Sequence, residues 1–197
     1  MDFSPQNTTS EYLDLPLKAF LDLVASGEPG PGGGSVALAA GLSGMAARLS
    51  AGQLADAEEL ARRSDFARQR VAPLARMDAE SYGRVLDAYG EPDSETRRKR
   101  VSDALSGATD VPLAIAEIGN EVAGIAARLV EDGNPNLEGD AIAAVLLAEA
   151  GVRAASVLVE INLSSANVED DRLGRANELV DQTAVTVQRV TEDHRPG

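Results

Sequence analysis

The sequence predicts an all-α protein, a bundle of about six helices with a glycine-rich loop between the first two. Three observations lead there. Hydrophobic residues make up 44% of the 197 but aromatics only 3%, with no Trp, so a core has to be built from Ala, Leu, Val and Ile. Ala and Leu are strong helix formers, and small side chains let helices approach closely. Clusters of β-branched residues are few, and no hairpin dipeptide separates alternating apolar and polar runs, which argues against a β fold.

The elements follow in order along the chain. Residues 1–12 are polar and predicted to fray. Asp14 before Leu15-Pro16 starts a helix, since Pro fits the first turn, and Leu17, Phe20, Leu21 and Val24 recur at helical spacing as far as Gly27. Glu28-Pro29-Gly30-Pro31-Gly32-Gly33-Gly34-Ser35 interrupts it, and Ser35 is placed to cap a helix from Val36 to about Leu54. After a polar break at Asp56 a long helical stretch reaches Tyr89, with Pro73 expected to kink or divide it. Gly90-Glu91-Pro92-Asp93 is a loop, Ser94 opens the next helix, and Thr109-Asp110-Val111-Pro112 marks a restart. Gly133 to Gly139 forms a second loop, with Asp140 at the N-cap of an apolar helix to Leu163. A polar amphipathic helix from Asp170 to Val190 closes the chain. No internal repeat and no long linker is evident, so one domain over residues 1–197 is expected.

Composition removes several function classes. There is no Cys, so disulfides, thiolate nucleophiles and sulfur-ligated metals are ruled out. The single His, His194, argues against a histidine metal site or triad, so acid–base work falls to Asp, Glu, Lys or Tyr. A net charge of −14 disfavours nucleic acid. The apolar stretch from Ala141 to Leu163 carries Glu149, Arg153 and Glu160, so it is expected as a buried helix and not a membrane span. With no basic flank and apolar run at the N-terminus, a cytoplasmic location is the expectation.

The two loops carry the chemical interest. Three consecutive glycines and Ser35 present bare backbone N–H groups at a helix N-terminus, where the dipole favours an anion or a polar ring edge. A tight turn between closely packed helices is the plain alternative, and no Lys follows to make a nucleotide loop. Asn134-Pro135-Asn136 puts two amides near Asp140. They either shape a capped turn or read a heterocycle with paired donors and acceptors.

Together these segments resemble the formiminotransferase-cyclodeaminase C-terminal family, which includes formimidoyltetrahydrofolate cyclodeaminases and methenyltetrahydrofolate cyclohydrolases. Pro31-Gly32-Gly33-Gly34-Ser35-Val36-Ala37 is similar to its glycine signature. Asp78-Ala79-Glu80-Ser81-Tyr82 is similar to its Asp-x-x-x-Tyr segment, and Ala108-Thr109-Asp110-Val111-Pro112-Leu113 to its Ala-x-x-Val-Pro-Leu stretch. Gly133-Asn134-Pro135-Asn136 with Asp140, and Ile161-Asn162-Leu163, complete the series. Departures also occur. Gly139 stands where the family usually has Ser, Leu158 where it often has Asn, and Ala51-Gly52-Gln53 where it has Thr-Gly-Lys. Ser102 aligns with a family Gln.

The resemblance implies a folate one-carbon enzyme, either a cyclodeaminase or a cyclohydrolase, with a tetrahydrofolate derivative as substrate, no prosthetic group and no metal. Both reactions pass through a tetrahedral carbon between two nitrogens and handle a cationic amidinium-like centre, which carboxylates suit. It implies Asp78 and Asp140 as catalytic carboxylates, and Gly33, Gly34, Ser35, Tyr82, Asn134, Asn136 and Asn162 as substrate-binding residues. N-capping for Asp140, an exposed helical charge for Asp78 and simple packing for Tyr82 are the competing readings. A homodimer with sites near its interface, and a possible separate formiminotransferase, are further implications. The dense basic run Arg97-Arg98-Lys99-Arg100 is either a site for an acidic folate tail or a solvated helix face. A folate-binding relative without activity, and a helical interaction module, are the alternative functions.

Overall fold

Alanine lets long helices lie almost in contact, and two such helices form the centre of the fold. The structure, a computed structural model, describes residues 34–192 together with Pro16 and Ala19, so the expected helix from Leu15 to Gly27 lies outside the described residues. Among these residues there are seven α-helices, one 3-10 turn and no strand: α1 (Gly34–Leu49), α2 (Ala57–Val71), α3 (Leu74–Tyr89), α4 (Glu95–Ala108), α5 (Asp110–Asp132), the 3-10 turn Pro135–Leu137, α6 (Glu138–Ala166) and α7 (Asp171–Thr191). The all-α expectation holds. The separations at Pro73 and Thr109 are shallow, because Pro73 and Thr109 themselves keep right-handed helical angles. Joining those pieces leaves five continuous rods.

α5 and α6 run antiparallel and make the most extensive contact. Ala116, Ala123, Ala126, Ala127, Ala144 and Ala148 are fully buried in this region. At Gly119 the approach is closest: a Cβ there would meet Val152 Cγ2 at 2.7 Å, so only glycine fits. α1 packs across both, antiparallel to α6, with Val36 and Ala40 sharing a core cluster with Ile115, Val152 and Ala155. α7 packs on the other side, and Val159 and Leu163 of α6 meet Leu173 and Ala176. α2 covers α1 and α5, and the α3–α4 hairpin closes over the C-terminal half of α6. By length and composition the stretch Pro135–Ala166 is apolar enough to cross a membrane, but α1, α4, α5 and α7 pack around it.

Several ends follow the sequence closely. Ser94 caps α4 by accepting the Arg97 N–H at 3.1 Å, and Asp170 caps α7 by accepting the Arg172 N–H at 2.8 Å. Asn167 stops α6 in the left-handed region at φ 55°, a conformation Asn tolerates. Two expected caps differ. α1 begins at Gly34 and ends at Leu49, so Ser35 lies inside the first turn and the chain turns from Ser50. α6 begins at Glu138, so Asp140 lies inside its first turn and no side chain caps it. The 3-10 turn delivers the backbone directly into the helix and removes the need for a cap.

Candidate active site

Where α3, α4, the start of α5 and the end of α6 come together, a cleft of about 420 Å³ opens. Its walls are mainly apolar, formed by Val85, Leu105, Ala108, Pro112, Leu158 and Ile161. Four polar side chains enter it: Asp78, Tyr82, Asn162 and Ser165, with Tyr89 at one end. Asp78 and Tyr82 stand one turn apart on α3, on a common face. Three residues singled out in the sequence, from segments 80 positions apart in the chain, are thus brought to one place.

The groups in the cleft have distinct states. Asp78 is half-buried, and loss of water raises its carboxyl above the ordinary value of 3.8. Asn162 donates from Nδ2 to the carbonyl of Ala108 at 3.3 Å, which ties α6 to the last turn of α4. Tyr82 is 52% exposed, so its ring is available to a ligand. Tyr89 lies seven residues after Tyr82 on the same helix face. Two of the three tyrosines of the chain at heptad spacing were a usable signal for this wall. The apolar wall from α4 and α6 had no such signal, because Leu105 and Ile161 resemble any core position.

The other predicted residues sit at the far end of α6. Asp140 and Asn162 are 22 residues apart on one helix, about 33 Å. The two carboxylates are therefore not brought together within one chain. Asn134 is engaged locally: its Oδ1 accepts the Asn136 N–H at 3.0 Å, its Nδ2 donates to the carbonyl of Leu49 at 3.2 Å, and its backbone N–H donates to Ser50 Oγ at 2.9 Å. Asn136 is exposed in the 3-10 turn. Gln53 and Gly139 belong to this end, whereas Leu158 lines the cleft one turn before Asn162. An Asn at position 158 would add a second amide to the cleft, and Leu makes that wall apolar instead. Ser102 donates to the carbonyl of Ala166 at 2.8 Å and so joins α4 to α6. Gly33 lies outside the described residues. Gly34 and Ser35 form the first turn of α1, whose next turns pack near Ala155 in the cleft-side half of α6.

Among the described residues no three His, Asp or Glu side chains are arranged to hold a metal ion. What the cleft can do is hold a planar ring between apolar and aromatic walls and place one carboxylate against a positive carbon. A partly desolvated carboxylate attracts a cation more strongly and accepts a proton at a higher pH.

Residues 16–179 match the family described as formiminotransferase-cyclodeaminase. The chain is 32% identical over 195 residues to a methenyltetrahydrofolate cyclohydrolase of Methylorubrum extorquens, covering 89% of this chain and 94% of that protein. It is 26% identical to a formimidoyltransferase-cyclodeaminase of Dictyostelium discoideum, where it covers 93% of this chain but 37% of that longer protein. The crystal structure of a formiminotetrahydrofolate cyclodeaminase from Thermotoga maritima superposes with a TM-score of 0.81 at 29% identity, covering 92% of this chain and 96% of that one. The chain therefore belongs to the formiminotransferase-cyclodeaminase family of folate one-carbon cyclohydrolases and cyclodeaminases, whose substrates are tetrahydrofolate derivatives.

Proposed function

We propose that the protein hydrolyses the methenyl bridge of 5,10-methenyltetrahydrofolate, with the cleft at Asp78 as its active site. The observation that carries the reading is a half-buried carboxylate beside an exposed Tyr and a tethered Asn in an otherwise apolar cleft. The methenyl carbon is an amidinium centre held between two nitrogens. Asp78 stabilises that positive charge and takes a proton from the attacking water as the C–O bond forms. It returns the proton to the nitrogen that leaves. The added hydroxyl gives its own proton to solvent as the C=O bond forms, and a formyl group remains on the other nitrogen. Tyr82 stacks on the ring system, and Asn162 offers its amide oxygen to ring N–H groups. Gly34 and Ser35 supply backbone donors from the N-terminus of α1.

The full-length match to a cyclohydrolase favours this reaction. The match to the Thermotoga maritima cyclodeaminase supports a second reading on the same cleft. There, N10 attacks a formimidoyl carbon and ammonia leaves.

Asp140 and Asn136 enter the site through a homodimer, while Asn134 holds the turn that carries Asn136. Leu38 and Leu49 of α1 and Leu146, Val157, Leu158 and Ile161 of α6 are exposed. This apolar surface reaches from the Asp140 end to the cleft. A two-fold partner laid antiparallel along α6 covers it and brings the partner subunit's Asp140 towards the cleft.

Following the absorbance of the methenyl form tests the reading. Accelerated loss of 5,10-methenyltetrahydrofolate is the expected result. Appearance of the same absorbance from 5-formimidoyltetrahydrofolate selects the cyclodeaminase. No change above the spontaneous rate with folded protein overturns both and leaves a non-catalytic relative.

A further inference from the structure

We infer that Arg97 is the residue that recognises the acidic tail of the ligand, fixing it in the cleft with its heterocycle at Asp78 and its carboxylates at the Tyr89 end. The inference rests on the folate reading above and adds the tail contact to it. Of the basic run, Arg98 and Arg100 have side chains 67% and 61% exposed and pair with Asp93 and Glu91. Arg97 is different. Its side chain is only 26% exposed, and its guanidinium carbon lies 5.9 Å from the centre of the Tyr89 ring. Tyr89 lines the cleft. Arg97 stands on the face of α4 that continues one turn at a time through Val101 and Leu105, and Leu105 is itself a cleft wall.

The guanidinium is incompletely satisfied. Its Nη1 donates to Asp93 at 3.3 Å, but Asp93 is 71% exposed and shared with Arg98, while Nε is shut off from solvent with no partner among the described residues. An N–H in that position is unfavourable to leave unmet. Rotation of the outer side-chain torsions while the guanidinium stays against Tyr89 turns the Nε edge towards the cleft, where a carboxylate accepts two parallel N–H bonds. Tyr89 lies 11 residues beyond Asp78 on α3, about 16 Å along the helix. A carboxylate thus stands at one end of the cleft, and at the other a guanidinium stands against the Tyr89 ring that lines it. In a chain of net charge −14 an acidic ligand needs such a local cation, and opposite charges at the two ends admit a ligand in one direction only.

The test compares 5,10-methenyltetrahydrofolate with the same compound whose glutamyl carboxylates are converted to amides, in wild type, Arg97→Gln, Arg97→Lys and Arg98→Gln. Wild type should favour the carboxylate form by about tenfold in KM, the scale of one charge-assisted pair. Arg97→Gln should abolish most of that preference, with the effect on KM and not on kcat. Arg97→Lys should keep part of it and Arg98→Gln all of it. Should Arg97→Gln unfold, the partial preference of Arg97→Lys decides in its place. Equal loss on both substrates in the Arg97 variants, or a preference they leave intact, overturns the inference and makes Arg97 a brace of the hairpin. Failure of the wild type to turn over either compound removes the folate reading, and the tail contact with it.

Discussion

The two ends of α6 make a useful contrast. In the sequence the N-terminal end was marked by Asn134, Asn136 and Asp140 at a helix boundary, and the C-terminal end by Asn162, with Asp78 and Tyr82 inside another helix. At the C-terminal end, Asn162 and Asp78 face an open cleft with aromatic neighbours. At the N-terminal end, the polar groups of Asn134 are taken up by the backbone of α1 and of its own turn. The same residue types therefore line an open cleft in one place and form a joint between helices in the other. What separates them is whether the surrounding chain already supplies partners. A turn that must satisfy its own backbone uses its amides, whereas Asp78 stands within a helix whose backbone is already paired and Asn162 gives only its Nδ2 to the Ala108 carbonyl.

Substitutions can break this contrast. The largest effect is expected from Asp78→Asn. It should lower kcat by about two to three orders of magnitude, the usual range for a lost charge or acid–base group. Stability should be maintained or raised, because the folded state holds the Asp78 carboxyl above its ordinary value and so disfavours its ionised form above pH 3.8. A melting temperature well below wild type would instead make Asp78 a structural residue. Asp140→Asn probes the opposite end. If the partner subunit completes the site, Asp140→Asn is also impaired, and mixing it with Asp78→Asn restores about a quarter of wild-type activity, because half of the dimers are hybrids with one intact site each. No recovery after subunit exchange would confine the site to one chain.

Smaller effects concern the scaffold. Gly119→Ala forces a methyl group against Val152, whose β-branched side chain cannot turn aside, so a loss of about 1–3 kcal/mol in denaturant unfolding is expected. Ser50→Ala leaves the Asn134 N–H without its acceptor and should cost about 1–2 kcal/mol, with early hydrogen exchange confined to the Asn134 turn. The smallest effect is expected from Asp170→Asn, which removes the carboxylate partner of Arg172. Hydrogen bonds from Arg172 hold the Asp170 carboxyl at about 2, below the ordinary 3.8, so its contribution is complete above pH 3.8 and is lost as pH falls towards 2. Asn keeps the cap, so the variant should be slightly less stable than wild type at neutral pH, with the difference closing as pH falls towards 2 and the acid limb correspondingly flatter.

The helices were legible because their signals are local. Ser94, Asp170 and the breaks at Pro73 and Thr109 act within a few residues of themselves, and all of them appear near the expected positions. Asp78, Tyr82 and Asn162 were legible as candidates through short motifs, but nothing in those motifs said that they share one cleft. The cap at Asp140 was misplaced because the 3-10 turn before it already leads the chain into the helix, and Ser35 lies inside a helix that begins at Gly34. A capping residue by itself does not show whether its cap is needed.

By itself the sequence determined an alanine-built, all-helical chain without thiol chemistry, its helix breaks and the residue types open to acid–base work. These follow from propensity and composition, which each residue carries wherever it is placed. Only the tertiary structure decided that Asp78 loses water while Asp140, some 33 Å from Asn162 along α6, stands apart. It also decided that Arg97 turns inward to Tyr89 while its neighbours face solvent. Burial and separation are properties of how rods pack, and the close approach at Gly119 that sets the packing joins residues distant in sequence.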